Sequence, residues 1–256
     1  MTSSILFKKE DKLAWLMLNR PEKLNALTDE MINELEGILD ALKEEKEVHV
    51  LVILGSGKNF SSGADLEQLM SLNEVEAESR SRRWKTVFNK LESLSKPTIA
   101  AIRGYCLGCG LELALACDFR LASDDAVFGQ PEIKLGIIPG ASATCRLIRL
   151  LGAAKAKELL MLGELIDAKR AVEIGLVTKL ISGERFEEEV RRFAFILAGL
   201  PQKALKSLKY AIMLASNGRF SEVSEFESKV FGDLAGSREF KERARRMFRK
   251  SIKEDS

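Results

Sequence analysis

The sequence predicts an α/β protein whose last third is helical. Two apolar runs, VHVLVILG (48–55) and PTIAAIRG (97–104), are continuous and end in glycine, as strands buried on both faces do. Extended and helical patterns alternate as far as Gly140. From 141 onward the pattern is nearly all helix, punctuated by Gly152, Gly163, Gly175, Gly183, Pro201 and Gly218.

The elements follow in order. KLAWLMLNRP (12–21) reads as a short strand stopped by Pro21. TDEMINELEGILDALKEEKE (28–47) reads as an amphipathic helix. Thr28 is its N-cap, Asp29 and Glu30 suit its positive end, and Met31, Leu35, Ile38 and Leu42 form one stripe. The stretch 66–95 between the two apolar runs is polar and mostly helical. After Cys117 come short extended pieces, FRLAS and AVFGQPEIKLG, broken by Asp124-Asp125. No linker, low-complexity tract or repeat interrupts the chain.

The totals exclude several classes. With 256 residues, 46% hydrophobic and 30% charged, the chain is long enough for a sizeable core and ordinary for a soluble protein. A net charge of +2 gives no global attraction to nucleic acid or membrane. No apolar run has the length of a membrane span, and MTSSILFKKEDK lacks a signal-peptide core, so a cytoplasmic location is expected. Four cysteines do not make a disulfide framework in a chain of this kind. The single histidine, His49, sits at the edge of an apolar strand and reads as structural. Acid–base work near neutral pH then falls to carboxylates, a lysine or a cysteine.

The motifs sort by what they lack. Cys106-Leu-Gly-Cys109 has CxxC spacing, but no second pair or histidine pair follows, so no metal site is expected and the cysteines read as small core residues. GCGLEL has Leu113 where a dinucleotide loop needs its third glycine. GSGK (55–58) has neither the upstream glycine nor the following Ser or Thr of a P-loop. Glu112 is different: its neighbours Leu111, Leu113, Ala114, Leu115 and Ala116 mark a buried helix, where a carboxylate needs a partner or a purpose. A salt bridge to Arg103 is one answer. Acid–base chemistry with Glu132, behind the stiff stem of Pro131, is the other. SSGAD (61–65) and GCG (108–110) both precede helical segments, whose first N–H groups are unpaired. Two such termini could form an oxyanion hole if they converge.

NRPEKLNAL, FSSGADL, KPTIAAIRGYCLGCGLELALACD, FGQPEIKLGIIPG and AVEIGLV occur in the order and spacing of one family. With them the chain resembles the crotonase superfamily and looks most like enoyl-CoA hydratase. The resemblance implies a spiral of ββα turns over residues 1–195 carrying the active site. It also implies a helical region, 196–256, for trimerisation and pocket closure, in a homo-trimer or a dimer of trimers. The substrate implied is an acyl-CoA thioester. Coenzyme A is then part of the substrate, and neither a separate cofactor nor a metal is needed. The thioester carbonyl would lie between the backbone N–H groups of Ala64 and Cys109. Glu112 and Glu132 would match the two catalytic glutamates, which hold one water, deliver its oxygen to C3 and exchange the proton at C2. Gly108 and Gly140 would line the same site. The adenine would lie near Ser62, Ala64, Asp65 and Leu66, with Lys23 and Lys250 as phosphate partners.

The chain departs from the family pattern at three places. Cys109 replaces the middle glycine of Gly-Gly-Gly, Ser142-Ala143-Thr144-Cys145 replaces Gly-Gly-Thr-Gln, and Arg249-Lys250-Ser251 replaces the usual ending. Added side chains at 142–145 are expected to narrow the pocket or alter its rate. Two alternatives stand beside hydration of trans-2-enoyl-CoA. One is Δ3,Δ2-enoyl-CoA isomerisation, and the other is a weakly active acyl-CoA- or RNA-binding homologue. The basic tail REFKERARRMFRK (238–250) has no aromatic stacking residues at a suitable spacing and reads as a solvated helix face.

Overall fold

Val50 and Val52 bury on one side of their strand and Leu51 and Ile53 on the other, which is why this run is continuously apolar. The computed structural model describes residues 3–254, with the backbone alone described from 247 onward. It begins with a hairpin, β1 (Ile5–Glu10) and β2 (Leu13–Leu18), turning at Asp11 in the left-handed region (φ 52°). There follow α1 (Asp29–Glu44), β3 (Val50–Gly55), α2 (Leu66–Met70), α3 (Glu74–Glu92), β4 (Thr98–Ile102), β5 (Tyr105–Leu107) and α4 (Cys109–Leu115). Next come β6 (Phe119–Ser123), β7 (Val127–Gly129), a 3-10 turn (Pro131–Leu135) and α5 (Ala143–Leu162). Then come β8 (Ile166–Asp167), α6 (Ala168–Glu173), β9 (Lys179–Ile181) and α7 (Phe186–Gly199).

The main sheet has the order β1-β2-β3-β4-β6-β9, parallel throughout except for the hairpin pair β1/β2. A smaller sheet, β5-β7-β8, lies beside it. Between them β4-β5-α4 and β6-β7-α5 repeat a ββα turn. Each parallel return needs a crossover, which the helices supply. One core packs α1, α3 and α4 against Leu16, Leu51, Ile53 and Ala100. The second packs Phe186, Val190 and Ala194 of α7 against Val50, Val52 and Leu121. In α1, Thr28 accepts from Met31 N at 3.3 Å, and Met31, Ile32, Leu35, Leu39 and Leu42 are buried, each worth about 1.5–3 kcal/mol.

Several expectations are corrected. β1 was not predicted, because ILFKKE is a half-exposed outer strand carrying three charges in six residues. The region after 141 is not all helix: β9 closes the edge of the main sheet and β8 the edge of the smaller one. Residues 195 and 196 lie inside α7, which runs unbroken because Ala194, Leu197 and Ala198 form one buried face. The boundary between two compact units lies after Leu200. His49 Nδ1 donates to Ala198 O at 3.0 Å, so the lone histidine ties the β3 edge to α7.

The second unit consists of α8 (Gln202–Ser216), α9 (Phe220–Ala235) and α10 (Arg238–Glu254), with Tyr210 and Phe226 edge to face at 5.0 Å. On α10 the ion pairs Arg238–Glu242 and Arg243–Glu239 run along the helix at i,i+4. Among the described residues no helix is long and apolar enough to cross a membrane.

Candidate active site

The site is assembled by a strap. Residues 20–27 hold the loop after β3 through Ser62 N to Leu24 O (3.0 Å), Leu27 N to Gly63 O (2.8 Å) and Asp65 N to Leu27 O (2.8 Å). Arg20 Nη1 pairs with Asp65 at 2.9 Å, and Asp65 Oδ1 caps α2 by accepting from Glu67 N and Gln68 N. The buried Asn25 donates to Ser56 O and Asn59 O at 2.9 and 2.7 Å. The NRPEKLNAL motif therefore builds the loop.

The same loop is held from the other side by β5: Ser61 N donates to Tyr105 O and Leu107 N to Ser61 O, at 2.8 and 3.0 Å. This brings the two glycine-flanked segments together. A Cβ on Gly63 would stand 3.7 Å from Cys109 N and 3.8 Å from Gly108 Cα. Among the described residues neither Ala64 N–H nor Cys109 N–H has an acceptor within the protein. Both residues line a cavity of about 410 Å³.

Glu132, in the 3-10 turn after Pro131, lines this cavity and is 9% exposed. Burial pushes its carboxyl from the ordinary 4.5 up to about 7, with the Glu112 charge adding to the rise. The buried Gln130 amide abuts it and, with its nitrogen turned toward Glu132, donates to both oxygens at 2.9 and 3.0 Å. Glu132 Oε1 also lies over Gly108, whose φ of +49° and lack of Cβ leave the space: an added Cβ would approach that oxygen to 3.1 Å.

Glu112 has no exposed surface. Its Oε1 accepts from Ala141 N at 2.8 Å and Ala143 N at 2.9 Å, and its Oε2 accepts from Cys109 Sγ at 3.1 Å. Burial raises its pKa, while these three donors and the nearby Arg146 oppose the rise by favouring the anion. The Arg103 salt bridge is not made: Arg103 stacks over Phe186 at 5.7 Å. Arg146, whose charge is felt at Glu112, donates to Ala141 O at 2.7 Å and pairs with Glu92 at 2.8 Å. Burial, reinforced by the Glu112 charge, pushes the Cys109 thiol well up, so it stays a donor.

Of the other expected residues, Ser62, Ala64, Leu66, Gly108 and Gly140 line the cavity. The Asp65 carboxylate is committed to Arg20 and the α2 cap. Lys23 pairs with Glu67 at 3.1 Å, and the Lys250 side chain lies outside the described residues. The expected narrowing by residues 142–145 is not found, because the cavity lining ends at Ala141. Ser142 instead takes a left-handed conformation (φ 80°) that aims the next peptide at Glu112. The four cysteines are free, and among the described residues no three His, Cys, Asp or Glu side chains group as metal ligands.

Sequence reasoning missed the Ala141 and Ala143 donors, Gln130 and Arg80. A signal for Arg80 existed: with Trp84, Val87, Phe88 and Leu91 it falls at i, i+4, i+7, i+8 and i+11 of α3, on the buried stripe.

Comparison with known proteins agrees with this architecture. Over 240 residues the chain is 38% identical to the crotonyl-CoA hydratase of Syntrophomonas wolfei, covering 93% of this chain and 92% of that protein. It is 35% identical over 241 residues to the short-chain-enoyl-CoA hydratase of Clostridium acetobutylicum, covering 94% and 92%. The crystal structure of an enoyl-CoA hydratase from Bacillus anthracis superposes with a TM-score of 0.92 at 33% identity, covering 97% of both chains. The enoyl-CoA hydratase/isomerase family model matches residues 8–254, and the chain belongs to that family.

Proposed function

We propose that the protein hydrates trans-2-enoyl-CoA to 3-hydroxyacyl-CoA. The observation that carries this reading is the pairing of two acceptor-free N–H groups with a buried glutamate in one cavity. Addition of water to the conjugated thioester builds negative charge on its oxygen. The N–H groups of Ala64 and Cys109 stabilise that charge, each donor being worth about 2.7–4 kcal/mol in such sites. Glu112, whose three donors favour its anion against the rise that burial causes, takes a proton from water as the oxygen adds to C3. Glu132, still protonated near neutral pH, gives its proton to C2. The water proton held by Glu112 then restores Glu132. Gly108, Gly140, Ser62 and Leu66 shape the walls, and Lys23 and Lys250 serve the phosphates of coenzyme A. The enzyme needs no cofactor beyond that group of its substrate. It works in the cytoplasm as a homo-trimer or dimer of trimers, assembled through the C-terminal helices.

Loss of the conjugated enoyl absorbance of crotonyl-CoA tests the reading. Wild type turns over, and Glu112→Gln and Glu132→Gln each lose about 10²–10⁴-fold in kcat. Wild-type inactivity on short, medium and long enoyl-CoAs overturns it. One observation favours a second reaction: Glu132 lines the cavity, whereas both Glu112 oxygens are already occupied. A single base lining the cavity suits Δ3,Δ2-enoyl-CoA isomerisation. Turnover of 3-hexenoyl-CoA that survives Glu112→Gln would support it.

A further inference from the structure

One charged side chain on the cavity wall has no part in the chemistry above. Arg80 lines the cavity together with Leu66, Leu69, Ala77 and Trp84, all from α2 and α3, and is itself 9% exposed. Its guanidinium lies over the Trp84 ring at 4.3 Å. Its Nε donates to Asp29 Oδ1 at 2.9 Å, and Trp84 Nε1 donates to the same oxygen at 2.6 Å. Nη2 reaches Gln68 Oε1 only at 3.5 Å, the outer limit of a hydrogen bond. Among the described residues Nη1 has no acceptor. Nor is it sealed off, since among the described residues the one fully enclosed side-chain nitrogen or oxygen without a partner is Trp15 Nε1. The stacking and the Asp29 contact hold the plane of the fork, and its Nη1/Nη2 end remains for another group.

For a purely alkyl chain this wall is poorly chosen. An aliphatic group packed there would cover cationic N–H groups without replacing their hydrogen bonds, which is costly in a buried site. An oxygen acceptor would satisfy them, and a carboxylate matches the two-pronged donor geometry of arginine best. The rest of the cavity tolerates one more negative charge. Glu112 is already satisfied by three donors, and Glu132 holds its proton to about pH 7. Arg80 is also close enough that its charge is felt at the Cys109 thiol, so it is part of the same electrostatic compartment.

We propose that Arg80 is a specificity-determining residue and that the cavity takes acyl-CoA thioesters whose acyl chain carries a carboxylate at its far end. This rests on the acyl-CoA reading above and names its substrate class. The acyl chain then runs from the Ala64–Cys109 segment toward α3, and Arg80 meets its terminal oxygen atoms.

The test is calorimetric titration of the full-length protein with saturated thioesters, which bind without turning over. The ω-carboxyacyl series from glutaryl-CoA to suberyl-CoA is compared with alkanoyl-CoAs of equal carbon number. At the best-fitting length the carboxylated ligand is expected to bind roughly tenfold or more tighter, as one charge-assisted hydrogen bond provides. Arg80→Met removes the preference. Arg80→Lys, which keeps the cation and loses the fork, retains a reduced one. Equal or weaker binding of every carboxylated member by the wild type overturns the proposal, whatever the variants do. So does a preference that persists undiminished in Arg80→Met. Inactivity on enoyl-CoAs combined with a retained carboxylate preference would sink the hydratase reading and leave this one standing.

Discussion

The burial of Glu132 makes the protein less stable wherever that carboxyl must ionise, and replacing it with glutamine reveals by how much. Below pH 4.5 the group is protonated whether the chain is folded or not, and it contributes nothing. Between 4.5 and about 7 the unfolded chain releases the proton and the folded chain keeps it, so stability falls as pH rises. Each pH unit is worth about 1.4 kcal/mol, so the loss levels off above pH 7 at about 3 kcal/mol. Glutamine has nearly the same shape and does not titrate. Glu132→Gln therefore melts close to wild type at pH 4.5 and above it at pH 8, with the gap opening progressively between. For a protein of this size about 3 kcal/mol corresponds to roughly 6–12 °C. Differential scanning calorimetry across that pH range measures the gap. A constant gap, or one that closes as pH rises, refutes the claim that desolvation holds the Glu132 proton.

Three further outcomes follow from neighbouring geometry. Ser142 occupies a left-handed conformation that costs a residue with a Cβ about 1 kcal/mol, so Ser142→Gly raises thermal stability by about 0.5–1 kcal/mol; a lower melting temperature would show that the serine is not strained. Hydratase kcat/KM declines above about pH 7 as Glu132 loses its proton. Cys109→Gly moves the acid limb of that profile upward, because Glu112 loses the thiol donor that favours its anion, while Cys109→Ser leaves the limb near its original position. An acid limb unmoved in Cys109→Gly would remove the thiol from any role in holding Glu112.

The α/β class, the buried strands 48–55 and 97–104, the Thr28-capped helix and the burial of Glu112 were determined by the sequence alone. Each is a local signal: periodicity, a cap, or a carboxylate in an apolar run. The outer strand β1 and the edge strands β8 and β9 escaped because they are short or charged, and pairing with a distant partner makes them strands. Only the tertiary structure decided which segments meet at the candidate site. The meeting of residues 61–65 with 107–110, the donation of Ala141 and Ala143 to Glu112, and the Asp29–Arg80–Trp84 cluster join segments about 30 to 55 residues apart. Such contacts form only after the intervening chain has been closed into a loop, and nothing in the local pattern encodes their geometry. The thiol of Cys109 shows the difference. In the sequence it is a substitution in a glycine run, and in the fold it is the third donor to a buried carboxylate.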